Sequence, residues 1–270
     1  LDANWGFGQV MARRAMEMAV EKARAKDIGL ASIRNCNHIG RVGEYPEIAA
    51  EHEMVGIAMC NGGGEVSPYG SIDPIYGTCP ISIAIPTGGR PILLDMATSV
   101  VAGGKIALAI ANNEEIPLGW IIDSKGHPTS DPYDLGTSRP AFAEKPSKAK
   151  GALLPFGSYK GSGIGLFVEI MGGVLAGAGT GEEGRGNGVV MMAIDIGKFS
   201  PIEEFKGKVD RLIRMVKSSR KDSGVEEILV AGEPEYKNME RRLREGIYVD
   251  DATWRSIKKT AQEFNVSYSS

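Results

Sequence analysis

What constrains this chain most is a repeated step from an amphipathic helix pattern into a short apolar strand pattern. From Gly8 to Lys26, Val10, Met11, Ala15, Met18 and Ala19 fall on one side and Arg13, Arg14, Glu17 and Glu21 elsewhere, which predicts a helix. Gly29 reads as its end, and Leu30 to Ile33 as a strand. The step recurs with a helix from Tyr45 to Glu53 and a strand from Val55 to Cys60, which meets the loop Asn61-Gly62-Gly63-Gly64. A short strand is predicted within Gly77 to Pro86. Another at Pro91 to Leu94 delivers Asp95 at its downstream end, and Met96 to Ala111 reads as helix. Downstream, an apolar helix (Gly163 to Ala176), a strand (Val189 to Ile194), a charged helix (Ile202 to Arg220) and a strand (Val225 to Val230) are expected. Tyr236 to Glu245 and Thr253 to Phe264 read as closing helices. Some connections are too short for parallel crossovers. The expected class is therefore α/β, a mixed β-sheet covered by helices.

One stretch breaks the rhythm. Residues 116–152, rich in proline and carrying Gly126, His127 and several lysines, read as an irregular surface excursion without a core, holding one small hairpin from Trp120 to Pro128. The remainder is expected to form essentially one body, residues 1–270. The chain opens in the middle of an α/β pattern, as at an internal boundary, whereas its closing helices read as an end.

With 270 residues and 42% hydrophobic content there is enough material for a sizeable core. A net charge of -3, from 31 basic and 34 acidic residues spread along the chain, gives no electrostatic reason to expect nucleic acid or a membrane surface as partner. No apolar run approaches the roughly 18 residues of a membrane span, and no signal-peptide pattern opens the chain, so a cytoplasmic location is expected. Cys36, Cys60 and Cys79 form no C-x-x-C pair and read as reduced thiols. The 36 glycines suit either ligand-cradling loops or a sheet with many short connections; both readings stay open.

Candidate sites follow from position and chemistry. Gly179-Thr180-Gly181-Glu182-Glu183-Gly184 has the spacing of a dinucleotide fingerprint, but a helix precedes it and its glutamates would repel a pyrophosphate; it reads as a loop. Gly157-Ser158-Tyr159-Lys160-Gly161-Ser162-Gly163 puts a lysine among small residues just before an apolar helix. Backbone amides there suit an anion, although the spacing is not that of a phosphoryl-transfer loop. His52 and His127 read as solvated surface. His38, in a polar loop at the downstream end of a strand, is either a surface residue or one that exchanges a proton or holds a polar ligand group. Asp95, at a similar strand end, either binds ligand hydroxyls or caps a helix beginning at Thr98 or Ser99. No grouping has metal-ligand spacing, so no metal is expected.

Three ordered segments resemble one family: Asn35-Cys36-Asn37-His38-Ile39-Gly40-Arg41-Val42-Gly43, Leu94-Asp95-Met96-Ala97-Thr98-Ser99 and Leu154-Pro155-Phe156-Gly157-Ser158-Tyr159-Lys160-Gly161. Together they are similar to the malate/L-lactate dehydrogenases of the second, non-Rossmann type, and the likeness runs over nearly the whole chain. It implies an L-sulfolactate dehydrogenase-like fold and a homodimer. It also implies an oxidoreductase that uses NAD or NADP to interconvert a small 2-hydroxy acid and its 2-keto acid, of the malate, lactate or sulfolactate type. By the same resemblance His38 matches a histidine that serves proton transfer in some members and cofactor contact in others. Asp95, Met96 and Ala97 match a cofactor-binding triplet, Lys160 a cofactor-binding lysine, and Gly232 and Glu233 the late cofactor loop, where the usual order is Pro-Gly-Glu. Arg41 is a candidate partner for the substrate carboxylate on chemistry alone. Where the family commonly has serine, this chain has Cys36, a poorer hydrogen-bond donor. The helical segment with a His-Gly-x-x-Arg motif that opens family members has no counterpart in these residues, so a fragment, a processed form or a shortened homologue is expected. A cofactor-binding protein without turnover is the alternative to an active enzyme.

Overall fold

The computed structural model describes residues 1–136, 150–181 and 186–267. They group into two compact units, Leu1–Glu233 and Pro234–Ser270. In chain order the first unit carries α1 (Gly8–Lys26), β1 (Ile28–Cys36), α2 (Glu44–Glu51), β2 (Met54–Cys60), β3 (Ile81–Ile85), β4 (Ile92–Met96) and α3 (Gly103–Asn112). There follow β5 (Ile121–Ile122), β6 (Pro128–Thr129), β7 (Ala152–Leu153), α4 (Tyr159–Glu169), which continues as a π-helical turn over Ile170–Leu175, β8 (Asn187–Asp195) and α5 (Ile202–Lys217). Helix α6 (Glu233–Glu245) starts at the boundary, and α7 (Asp251–Glu263) lies in the second unit.

Five strands form one sheet in the order β1-β8-β2-β3-β4, and β6-β5-β7 form a second. Every pairing between these strands is antiparallel; among the described residues, parallel pairing is confined to the isolated bridges Asp2 to Arg34 and Val66 to Leu153. The large sheet is covered on both faces, and the two-residue period of its strands divides the core accordingly. Val189, Met191 and Ala193 of β8, with Met54, Ala58 and Cys60 of β2, pack with α1 and α2. Val190 and Met59 point the other way, into a second cluster with Val168 of α4 and Ile106 of α3.

Glycine sets the distance between layers. A Cβ on Gly29 would stand 1.9 Å from the carbonyl oxygen of Ala19, so the alanine face of α1 lies directly on β1. Gly29 is accordingly a strand residue. The helix ends instead at Asp27, whose φ of 70° turns the chain and whose N–H bonds to Ala23.

Several sequence expectations need correction. Residues 96–102 are not helical, because tertiary pairing claims their backbone: Thr98 N–H donates to Thr78 O (2.8 Å) and Val100 N–H to Leu154 O (2.8 Å). Helix α3 starts only at Gly103, so Asp95 does not cap it. Val225 to Val230 forms no strand; it runs on without regular structure from the turn that Val225 N–H closes on Asp222 O. The excursion is not wholly superficial, since Ile116, Ile121 and Leu135 are buried in the second core cluster, although residues 137–149 lie outside the described residues. The glycine-acidic loop likewise lies outside them at Glu182 to Gly184.

Candidate active site

The edge strand β4 and its continuation gather the segments singled out in the sequence. Leu93 N–H donates to Ala231 O (3.1 Å), which docks the turn before Gly232 and Glu233. Asp95 Oδ2 accepts the N–H of Gly43 at 3.0 Å, which ties the end of the His38 loop to β4. Thr98 O accepts from Phe156 N–H (3.0 Å), and Ser99 bridges Pro155 in antiparallel fashion, so the Asp95-Met96-Ala97 triplet runs beside the approach to Lys160. Segments separated by more than fifty residues thus meet along one strand.

The His38 loop is held from several sides. Buried Tyr45 donates its hydroxyl to Ile39 O, and Ile39 itself is buried. A Cβ on Gly8 would stand 2.2 Å from the carbonyl oxygen of Asn37, so the start of α1 supports the loop from beneath. The imidazole of His38 is exposed, and its Nδ1 accepts the N–H of Gly40 at 2.9 Å. An acceptor at Nδ1 leaves the proton of a neutral ring on Nε2, which faces outward as a donor. Arg41 is already engaged: its guanidinium meets Glu47 at 3.1 Å and Asp95 at 3.7 Å, and it holds the loop rather than standing clear for a substrate. Cys36 is buried with its thiol on Asn37 O (3.2 Å), and burial pushes that thiol up to about 11, so it faces the core as a neutral group.

Lys160 lies in the first turn of α4, one turn earlier than the helix expected from the apolar pattern, and its side chain is exposed. Just before it, Gly157 and Ser158 both have positive φ, 53° and 64°. Serine rarely adopts that conformation; the cost, of order 1–3 kcal/mol, is characteristic of segments shaped around a ligand. These residues line a cleft of about 340 Å³ together with Pro68, Tyr69, Val100 and Pro155. Sequence reasoning missed the Pro68-Tyr69-Gly70 wall, because its only signal was turn chemistry.

Glu233 is committed within the chain. Its carboxylate pairs with the Lys217 ammonium at 2.5 Å and accepts the N–H of Val230 at 2.9 Å. Desolvation raises this carboxyl, but those two contacts outweigh it and hold the group below its ordinary value, while Glu233 in turn raises Lys217. Among the described residues no three of His, Cys, Asp and Glu are placed to share a metal ion, and no helix is long and apolar enough to cross a membrane.

Comparison with known proteins gives a consistent result. A model described as malate/L-lactate dehydrogenase matches residues 1–258. A malate dehydrogenase of Pyrococcus abyssi is 40% identical over 279 residues, covering 98% of this chain and 72% of that protein. Among solved structures, sulfolactate dehydrogenase of Methanocaldococcus jannaschii superposes with a TM-score of 0.84 at 34% identity, over 98% of this chain and 75% of that one. A malate dehydrogenase of Entamoeba histolytica gives 0.90 at 29% identity, over 99% and 77%.

Proposed function

This chain belongs to the malate/L-lactate dehydrogenase family, and from that premise we propose that it is an NAD- or NADP-dependent oxidoreductase interconverting a small 2-hydroxy acid and its 2-keto acid. The observation that supports this reading best is the convergence of the His38 loop, the Asp95 triplet and the Lys160 segment on β4. The residues there fit a nicotinamide dinucleotide: an exposed ammonium and backbone amides at the start of α4 suit phosphates, and the carboxylate of Asp95 suits hydroxyl or amide donors. Met96, Ala97 and Gly232 would contribute backbone beside it, and Glu233 would do so through the turn that it stabilises. The bound nicotinamide supplies or accepts the hydride. Homodimeric assembly belongs to the same reading. So does a reducing compartment such as the cytoplasm, which the buried, unlinked thiols of Cys36, Cys60 and Cys79 support.

In this reading His38 contacts the 2-oxygen of the acid. Because Gly40 N–H occupies Nδ1, the ring offers Nε2–H to the carbonyl oxygen; as hydride reaches C2, the proton that completes the 2-hydroxyl comes from solvent, and in the oxidation direction it returns there. Two variants test it by steady-state kinetics on malate, lactate and sulfolactate. His38→Ala removes the donor and lowers kcat by about a hundred- to a thousandfold, the usual cost of such a donor. His38→Gln keeps an N–H donor and recovers much of that loss. A Gln variant as slow as the Ala variant assigns full proton transfer to the ring instead. Dinucleotide binding with no turnover in the unaltered protein refutes the enzyme and leaves a cofactor-binding role.

A further inference from the structure

A 2-hydroxy or 2-keto acid carries its carboxylate on the carbon next to C2, so the chain must offer that anion a donor beside His38. The contacts that hold the His38 loop leave few choices. Arg41 is taken by Glu47 and Asp95, whose own carboxylates would repel the acid. Asn37 gives its amide to Trp5 O and Gly6 O, and the Tyr45 hydroxyl lies buried on Ile39 O. Gln9 differs from all of these. A Cβ on Gly40 would lie 3.6 Å from Gln9 Cγ and 3.7 Å from Gln9 Nε2, so the amide stands over the residue whose N–H holds the His38 ring. Gln9 is exposed, and among the described residues its amide has no hydrogen-bond partner.

The backbone that delivers Gln9 is strained and fastened to the same loop. Asn4 and Trp5 have positive φ, 47° and 59°, and so does Asn35 of β1, at 52°. Asp2 clasps this turn, accepting the N–H of Asn4 and the side-chain amide of Asn35, each at 3.0 Å, and Trp5 N–H donates to Asn35 O at 2.8 Å. Three non-glycine residues of this kind at one junction are uncommon, and such strain collects at ligand sites. Gly8 then seats the first turn of α1 on the carbonyl oxygens of Asn37 and His38, which its Cβ would meet at 2.2 and 2.6 Å. Residue 9 is thereby fixed relative to residue 38. We propose that Gln9 receives the substrate carboxylate, its Nε2 donating to one carboxylate oxygen while His38 Nε2–H meets the 2-oxygen. The group it reads is common to malate, lactate and sulfolactate, so Gln9 selects the class of acid and not the member. This inference rests on the functional reading and names the residue that recognises an acid.

Gln9→Leu and Gln9→Glu test it. An acidic residue in the first turn favours a helix, and α1 has none there, so the Glu variant keeps or raises the melting temperature. The probe is oxamate, a stable anion shaped like the shortest 2-keto acid, titrated calorimetrically into the whole chain with excess NADH. The Leu variant binds it about ten- to a hundredfold more weakly, the worth of one charge-assisted hydrogen bond. The Glu variant binds it more weakly still, because a like charge replaces the donor. With pyruvate as substrate, KM rises by more than kcat falls, and the NADH dissociation constant, read by fluorescence, is unchanged. Undiminished oxamate affinity in either variant overturns the proposal and leaves the enzyme standing. Equal losses of oxamate and NADH affinity also overturn it, since Gln9 would then only support the loop. Oxamate binding that the variants weaken, in a protein without turnover, keeps the carboxylate contact and refutes the enzyme. An unaltered protein that binds neither oxamate nor pyruvate ends both.

Discussion

At the scale of single residues, the positions legible in the sequence were those whose chemistry stands out against their place in the chain. His38 and Asp95 are polar groups at strand ends, where open α/β sheets present ligands, and Lys160 sits among small residues before an apolar helix. What the sequence hides is which of these groups the fold has already engaged. Arg41 looks available for a carboxylate until Glu47 and Asp95 are found beside it, and Glu233 until Lys217 is. Asp95 has both characters, since it anchors Gly43 through an oxygen and is partly exposed. Asp95→Asn separates them: the amide oxygen can still accept the Gly43 N–H, but the charge is lost. Cofactor affinity should fall about tenfold or more, the worth of one charge-assisted contact, while the melting temperature stays nearly constant. A fall in melting temperature with unchanged affinity would make Asp95 a loop anchor and nothing more.

Among the elements, most helices and the buried strands were readable, because periods of 3.6 and 2 survive wherever one face packs against a single layer. The span of helix α1 is legible in its pattern, but its stop lies at Asp27 and not at Gly29. The failures have two causes, tertiary pairing that overrides local pattern and a local side-chain contact that replaces it. Residues 96–102 have helical composition but are tied to Thr78, Leu154 and Phe156, and in the apolar run before Gly232 the Glu233 carboxylate takes the Val230 N–H while β4 bonds Ala231 just beyond it. Val10, counted on the apolar side of α1, is exposed, while Ala12, Met16 and Ala23 are buried. The packing of α1 on the sheet depends on Gly29 having no side chain. Gly29→Ala forces the added carbon against the Ala19 and Ala23 backbone and should cost about 1–3 kcal/mol in chemical denaturation, the usual range for overpacking. Unchanged stability would mean that α1 can lift from β1 without penalty.

For the molecule as a whole, stability should carry the signature of the Lys217–Glu233 pair, which fixes the end of the first unit. Glu233 is depressed below its ordinary 4.5, so its contribution is complete above that pH and is lost as acid protonates it. Lys217 is raised above 10.5, so its share is complete below that pH and disappears in stronger alkali. Between the two limits Lys217→Met should lower the melting temperature, and below the acid limit the variant and the parent should converge; a constant difference across that range would exclude the pair as the cause. The strand order has a different consequence, one in time. Strand β8 lies between β1 and β2, and Ile28 pairs with Ile194, so the first strand waits for a partner made more than 160 residues later. Closing so long a loop is entropically slow, and until it closes the inner faces of β1 and β2 have no strand between them. On the ribosome, the chain would therefore pass through a long interval in which its amino-terminal half exposes unpaired edges. Chaperone capture should concentrate in that interval and end soon after Asp195 emerges.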